Sequence, residues 1–215
     1  MTANRTERVR RHYDRSAGSY DRIISWAEKA LFGGAREWVC SQARGEVLEI
    51  AVGTGRNIPF YPKEVLLTGI ELSPKMLDFA RRRARELGRE INLRVGDAQN
   101  LPFPQASFDT VVATLALCTI PDERRAVAEA ARVLRPGGRL LLLEHVRSPV
   151  LPVRLVQRAL EPLTLLLDHD HLLRESLHHV EDVGLVVESL ESSKLGVVER
   201  LRASKPASYS VGQKH

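Results

Sequence analysis

The chain is poor in several features that would otherwise dictate its chemistry. Only two of its 215 residues are cysteine, Cys40 and Cys118. They lie far apart and lack metal-ligand spacing, so neither a disulfide framework nor a zinc site is indicated, and a reducing, cytoplasmic compartment is expected. No apolar run approaches the roughly 18 residues of a spanning helix, and Met1 to Tyr20 is polar and charged with no apolar leader core. Neither secretion nor a transmembrane anchor is therefore expected. Gly-Lys-Ser and Gly-Lys-Thr are absent, which removes a phosphate-cradling P-loop. Aromatic residues make up 5% of the chain. They are not interleaved with basic residues and no Asn/Asp-Pro-Pro-Tyr/Phe base-handling motif occurs, so nucleic acid is not an expected partner.

What is present describes one globular domain. Apolar residues make up 43% and charged residues 27%, in a length sufficient for a single full core. The net charge of +5 is compatible with simple solubility, or with an anionic membrane surface or nucleic acid.

The organising stretch is Glu46-Val47-Leu48-Glu49-Ile50-Ala51-Val52-Gly53-Thr54-Gly55-Arg56. An apolar run breaks into small residues, as a buried parallel strand does when it hands a ligand to the next helix. A second strand follows from Val65 to Leu72, with Glu71 at its carboxyl end, where an acid can accept hydrogen bonds from a ribose diol. Turn and acid together suggest an adenosine-containing ligand.

From there strands and helices alternate. Strands are predicted at 46–51, 65–71, 91–96, 109–115 and 139–146, with helices at 53–60, 74–87 and 122–134. Ser73-Pro74 supplies an N-cap and a first helical position, and Gly88 follows the last turn. Arg81, Arg82, Arg83 and Arg85 read as a solvated face of that helix. Upstream, apolar spacing from Thr6 to Trp38 predicts two or three short helices interrupted near Gly18 and Gly33-Gly34, after frayed residues 1–10. Downstream come an amphipathic segment at 149–167, a short helix near 174–183, strands at 185–190 and 197–202, and a disordered tail from Pro206. The expected fold is α/β: a Rossmann-like, doubly wound, seven-stranded, mostly parallel sheet with an N-terminal helical lid (1–40), a cofactor-binding core (45–146), and a helical insertion (149–183) after strand five.

A nicotinamide or flavin fingerprint read from Gly53 needs Gly or Ala at position 58, where Ile58 stands. The residues instead resemble the class I S-adenosylmethionine-dependent methyltransferases, in the branch of quinone-ring and phospholipid methyltransferases. Leu48 to Gly55 is close to that family's E-x-G-x-G-x-G, with Ala51 in place of the first glycine. Gly69-Ile70-Glu71-Leu72-Ser73-Pro74-Lys75-Met76-Leu77, Gly96-Asp97-Ala98, Ser107 to Val112 and Arg132 to Gly138 follow in the family's order. The resemblance implies that Glu71 takes the ribose hydroxyls, that Leu72 or Met76 packs on the adenine, and that Asp97 and the Ala98 backbone hold its edge. It further implies that Leu115 underlies the methionine portion, with Tyr20, Glu49, Gly53, Gly55 and Asn57 completing the cofactor set.

Tyr13 to Asp21 is similar to the Y-x-x-x-A-x-x-Y-D opening helix of the quinone-type enzymes, which implies that Tyr13 and Tyr20 close the site. Short stretches, Asn57 to Pro62, Leu117 to Pro121, Leu143 to Val146 and Asp168 to Ser176, resemble phospholipid N-methyltransferase-like proteins and animal thiol methyltransferases. His145 is the candidate general base, its alternative being a structural histidine. Cys118 is read as a small buried residue, and Asp168, His169, Asp170 and His171 as local caps rather than metal ligands. In the 149–167 segment, Leu151, Leu155, Val156, Leu160, Leu163, Leu166 and Leu167 are expected to roof an acceptor pocket, the alternative being peripheral contact with a membrane surface.

The implied activity is methyl transfer from S-adenosylmethionine, leaving S-adenosylhomocysteine, to a small apolar acceptor: a thiol, a phenol or quinol, or an amino-lipid head group. The protein would act as a monomer or homodimer. The competing possibility is a non-catalytic protein that binds the same nucleoside.

Overall fold

The computed structural model describes residues 2–31, 33–167, 170–193 and 195–207. Asp168, His169 and the tail beyond residue 207 lie outside them. The architecture follows the apolar strands. β1 (Glu46–Ile50), β2 (Leu66–Glu71), β3 (Asn92–Val95), β4 (Phe108–Thr114) and β5 (Leu134–His145) form a parallel array, and β6 (Val186–Ser192) and β7 (Val198–Ser204) add antiparallel pairing. The seven-stranded sheet runs β3-β2-β1-β4-β5-β7-β6, with its order reversing between β1 and β4. Such a reversal opens a crevice at the strands' carboxyl ends.

Burial accounts for the runs. Leu48 and Ile50 face one layer of core with Val111, Ala113, Leu140 and Leu142, while Val47 faces the other with Val112, Leu141 and Leu143. Strands covered on both faces must be apolar throughout. The covering helices are α1 (Thr2–Leu31), α2 (Ala35–Cys40), α3 (Pro74–Glu86), α4 (Glu123–Val133), α5 (Leu151–Leu167) and α6 (Ser176–Asp182). Ser73 caps α3 as expected, its hydroxyl accepting from the Met76 N–H at 3.2 Å.

Several expectations need correction. The N-terminal region is neither frayed nor interrupted at Gly18, since α1 runs through it for 30 residues, while the break expected at Gly33-Gly34 does separate α1 from the short α2. A glycine costs a helix only about 1 kcal/mol relative to alanine, and side-chain pairs of Arg10 with Glu7 (2.7 Å) and Asp14 (2.6 Å) support the same stretch. The helix expected at 53–60 shrinks to one 3-10 turn, Ile58–Phe60. β5 starts at Leu134, ahead of the expected residue 139, and takes in Pro136-Gly137-Gly138 across an irregularity in its pairing with β4.

Arg83 is not solvated with its neighbours. Its guanidinium donates to Asp21 at 2.5 Å and to the Thr54 carbonyl at 2.9 Å, while Asp14 accepts from the Ser73 hydroxyl at 2.6 Å. These contacts bind α1 to α3 and to the turn after β1.

Candidate functional site

At the reversal point, the carboxyl ends of β1, β2 and β4 surround a cavity of about 780 Å3, counting its open mouth. The backbone there is unusual. Ala51 and Leu115, just beyond β1 and β4, both adopt φ 52°. Non-glycine residues rarely occupy that region, and they concentrate where a site demands a sharp reversal. Both residues line the cavity.

Of the residues expected to hold a cofactor, Tyr20, Ala51, Gly53, Glu71, Leu72, Met76, Asp97, Ala98 and Leu115 all stand in this one wall. Glu71 is 6% exposed and accepts backbone N–H groups from Gly53 (3.0 Å) and Ser73 (2.8 Å). Burial raises its pKa, while these N–H groups act in the opposite direction. A carboxylate has about four acceptor positions, so two remain for a diol. Asp97 accepts from the Gln99 backbone at 2.9 Å and from its side-chain amide at 2.9 Å.

Glu49, Gly55 and Asn57 do not line the cavity. Asn57 and Tyr61 donate to the Glu49 carboxylate at 2.8 and 2.9 Å behind the turn. Gly55 serves packing: at φ 79°, a Cβ there would lie 2.6 Å from Ile58 Cδ1 and 3.1 Å from the Ala80 backbone. These three residues shape the turn from beneath.

Burial pushes the Glu49 carboxyl up to about 7, against the pull of Tyr61, Asn57 and Arg36. An acid raised in the folded state is stabilising below its unfolded pKa and loses that contribution as pH rises through the folded value. Wild type should therefore lose on the order of 2–3 kcal/mol between pH 5 and pH 8 relative to Glu49→Gln, which mimics the protonated acid. Urea denaturation of the ligand-free proteins measures this, and equal pH slopes would refute it.

Two contributors were missed from sequence. Arg36 lines the cavity and donates to Asn57 and Thr114 at 2.7 and 2.9 Å, from a helix with no local signature. Gln99 also lines it, joining Asp97 to the Asp122 N–H at 3.0 Å; its only clue was its position next to the Gly96-Asp97-Ala98 motif. From α1, Val9, Tyr13 and Tyr20 face the cavity, and the two tyrosine rings pack edge-on with centroids 6.1 Å apart.

His145 stands outside the cavity wall, its Nε2 2.9 Å from Asp170 Oδ1. Burial lowers its pKa, but the hydrogen bond and charge of Asp170 outweigh this and the net shift is upward. The roof expectation fails. Leu151, Leu155, Val156, Leu160, Leu163 and Leu166 are 47–78% exposed, so the apolar face of α5 points to solvent; the Leu167 side chain lies outside what is described.

The residues that build this crevice fall within a stretch matched by known proteins. A family model described as a methyltransferase domain matches residues 48–142. Thiol S-methyltransferase TMT1B of Rattus norvegicus is 32% identical over 172 residues, covering 77% of this chain and 70% of that one. Phosphatidylethanolamine N-methyltransferase of Cereibacter sphaeroides is 42% identical over 118 residues, 54% of this chain and 58% of that one. Thus the chain spans somewhat over half the length of that relative. A Thermotoga maritima structure, described as a SAM-dependent methyltransferase and possible histamine N-methyltransferase, shares the fold with a TM-score of 0.71 at 22% identity, covering 92% of this chain and 99% of that one.

Proposed function

Because the chain belongs to the methyltransferase family, we propose that it transfers the sulfonium methyl of S-adenosylmethionine to a small, largely apolar acceptor and releases S-adenosylhomocysteine. The observation that carries this reading is the convergence of Glu71 and Asp97, from two different strand ends, in one cavity wall with the reversed backbone of Ala51 and Leu115. The donor set suits the cofactor. Glu71 offers free acceptor positions to ribose hydroxyls, Asp97 an acceptor to an exocyclic amine, Met76 and Leu72 apolar surface to a base, and Arg36 a cation to a carboxylate.

Held by Glu71, Asp97, Leu72 and Met76, the cofactor would supply an electrophilic methyl carbon to an acceptor lone pair, with its sulfur as the leaving group. What the chain contributes is placement. Holding donor and acceptor in line can account for several kcal/mol of barrier reduction. Tyr13 and Tyr20 on α1 restrict water at the mouth, acting as the lid. The named relatives act on an amino lipid and on thiols, which supports an apolar acceptor ending in nitrogen or sulfur. Cys40 and Cys118 are free and buried, in keeping with a reducing, cytoplasmic setting.

Incubation with methyl-labelled S-adenosylmethionine and a panel of thiols, phenols, quinols and amino lipids tests the reading. One labelled class is expected. Tight cofactor binding with no labelled acceptor would favour a non-catalytic binding protein.

Among the described residues no helix is long and apolar enough to cross a membrane. α5 suits peripheral contact instead: its exposed leucines share the helix with Arg154 and Arg158, and the chain carries +5. Anionic vesicles should co-sediment the protein, and Leu155→Glu with Leu163→Glu should release it without unfolding it. Absence of binding at both low and high salt would eliminate the lipid surface.

A further inference from the structure

Beside the cavity, three side chains of metal-ligating type meet from three separate segments. Cys118 follows β4, His145 ends β5, and Asp170 follows α5; one ligand atom from each lies within 4.8 Å of the other two. The expectation of no metal rested on the spacing of the cysteines and on reading Asp168 to His171 as local caps, neither of which registers ligands this far apart in the chain. Cys118 is 3% exposed, and its neighbours Ala116 and Thr119 stand in the cavity wall. His145 is anchored on one side only: its Nδ1 is buried without a hydrogen-bond partner among the described residues.

Contacts outside the cluster hold the three groups in place. The His171 N–H donates to the Cys118 carbonyl at 3.1 Å, the Thr164 hydroxyl donates to the Asp170 carbonyl at 2.8 Å, and Arg174 donates to the carbonyls of Leu117 and Ile120. The loops that carry Cys118 and Asp170 are thus joined through backbone and arginine, independently of the three side chains.

We propose that Cys118, His145 and Asp170 form a three-ligand site for a divalent zinc ion, with its fourth position open. Zinc accepts sulfur at about 2.3 Å and nitrogen or oxygen at about 2.0–2.2 Å in a tetrahedron, which sets ligand atoms roughly 3.3–3.8 Å apart. The pairs here, from 2.9 Å for His145 and Asp170 to at most 4.8 Å, bracket that spacing. A thiolate and a carboxylate balance the two charges of the ion, so the partly buried centre is neutral. Thiol and imidazole also select against magnesium and calcium, which take oxygen. Binding removes the Cys118 S–H proton to solvent and consumes no other reagent. The site does not depend on the proposed methyl transfer.

The test uses the full chain. Protein expressed with added zinc and dialysed should retain about one zinc per chain by mass spectrometry. After stripping, anaerobic titration with cobalt(II) should give the visible bands of a tetrahedral ion and a near-ultraviolet thiolate-to-cobalt band. Cys118→Ser should remove the thiolate band and weaken cobalt binding at least about tenfold, while Cys40→Ser keeps both. Circular dichroism establishes that each protein is folded. Folded wild type without zinc retention or a thiolate band would overturn the site, as would a thiolate band that survives in Cys118→Ser or is lost in Cys40→Ser.

Discussion

Replacing Glu71 with alanine is expected to weaken S-adenosylmethionine binding by about 1.5–3 kcal/mol, roughly tenfold to a hundredfold, the range for hydrogen bonds to a charged group. The carboxylate is 6% exposed, faces the cavity, and is fixed by the N–H groups of Gly53 and Ser73. Its remaining lone pairs are therefore aimed before any ligand arrives. Alanine removes those acceptors and also strips two backbone donors of their partner, so the ligand-free protein should lose some stability as well. Glu71→Gln separates the two effects. One amide oxygen can still serve a backbone N–H, but the side chain offers fewer acceptors to a diol. Calorimetric titration gives the affinities and urea denaturation the ligand-free stabilities. Full affinity in a folded Glu71→Ala protein would remove the ribose assignment and, with it, the main support for the proposed activity.

The parts of this site that were readable in the sequence share a cause: each is encoded within a few consecutive residues. The glycine turn, the acid at the end of β2 and the Ser73-Pro74 helix start work through local backbone geometry, so their pattern survives without knowledge of the fold. The helix expected at 74–87 and observed as Pro74–Glu86 shows how well caps define an element. The misses come from forces that act across the chain. Gly18 looked like an interruption because a local cost was counted without the docking of α1 through Asp14 and Asp21. The apolar stripe of α5 was readable as a stripe, but periodicity does not reveal what the stripe faces. Arg36 and Gln99 carry no motif at all, and only closure of the fold brings them to the cavity.

Arg174 belongs to that second class, and its removal should be the most destabilising single change considered for this chain. Its guanidinium is 14% exposed, donates to the carbonyls of Leu117 and Ile120, and lies 3.6 Å from the carboxylate of Glu123, itself 7% exposed. Ser176 and His179 also meet Glu123, but neither carries the permanent charge of an arginine. Removing one partner of a buried pair leaves the other charge poorly compensated, at a cost of about 3–5 kcal/mol. For a chain of this size that corresponds to a drop in melting temperature of roughly 6–20 °C. The damage should also reach the ligand, because the carbonyls that Arg174 holds belong to the loop whose Leu115, Ala116, Thr119 and Ile120 line the cavity. Arg174→Lys should recover only part of the loss, since an ammonium cannot serve two carbonyls and a carboxylate with the planar geometry of a guanidinium. Urea denaturation and cofactor titration of both variants decide the matter. A ligand-free Arg174→Ala protein within about 1 kcal/mol of wild type would mean that other contacts hold the two loops together, because a loss that small is what an exposed ion pair contributes.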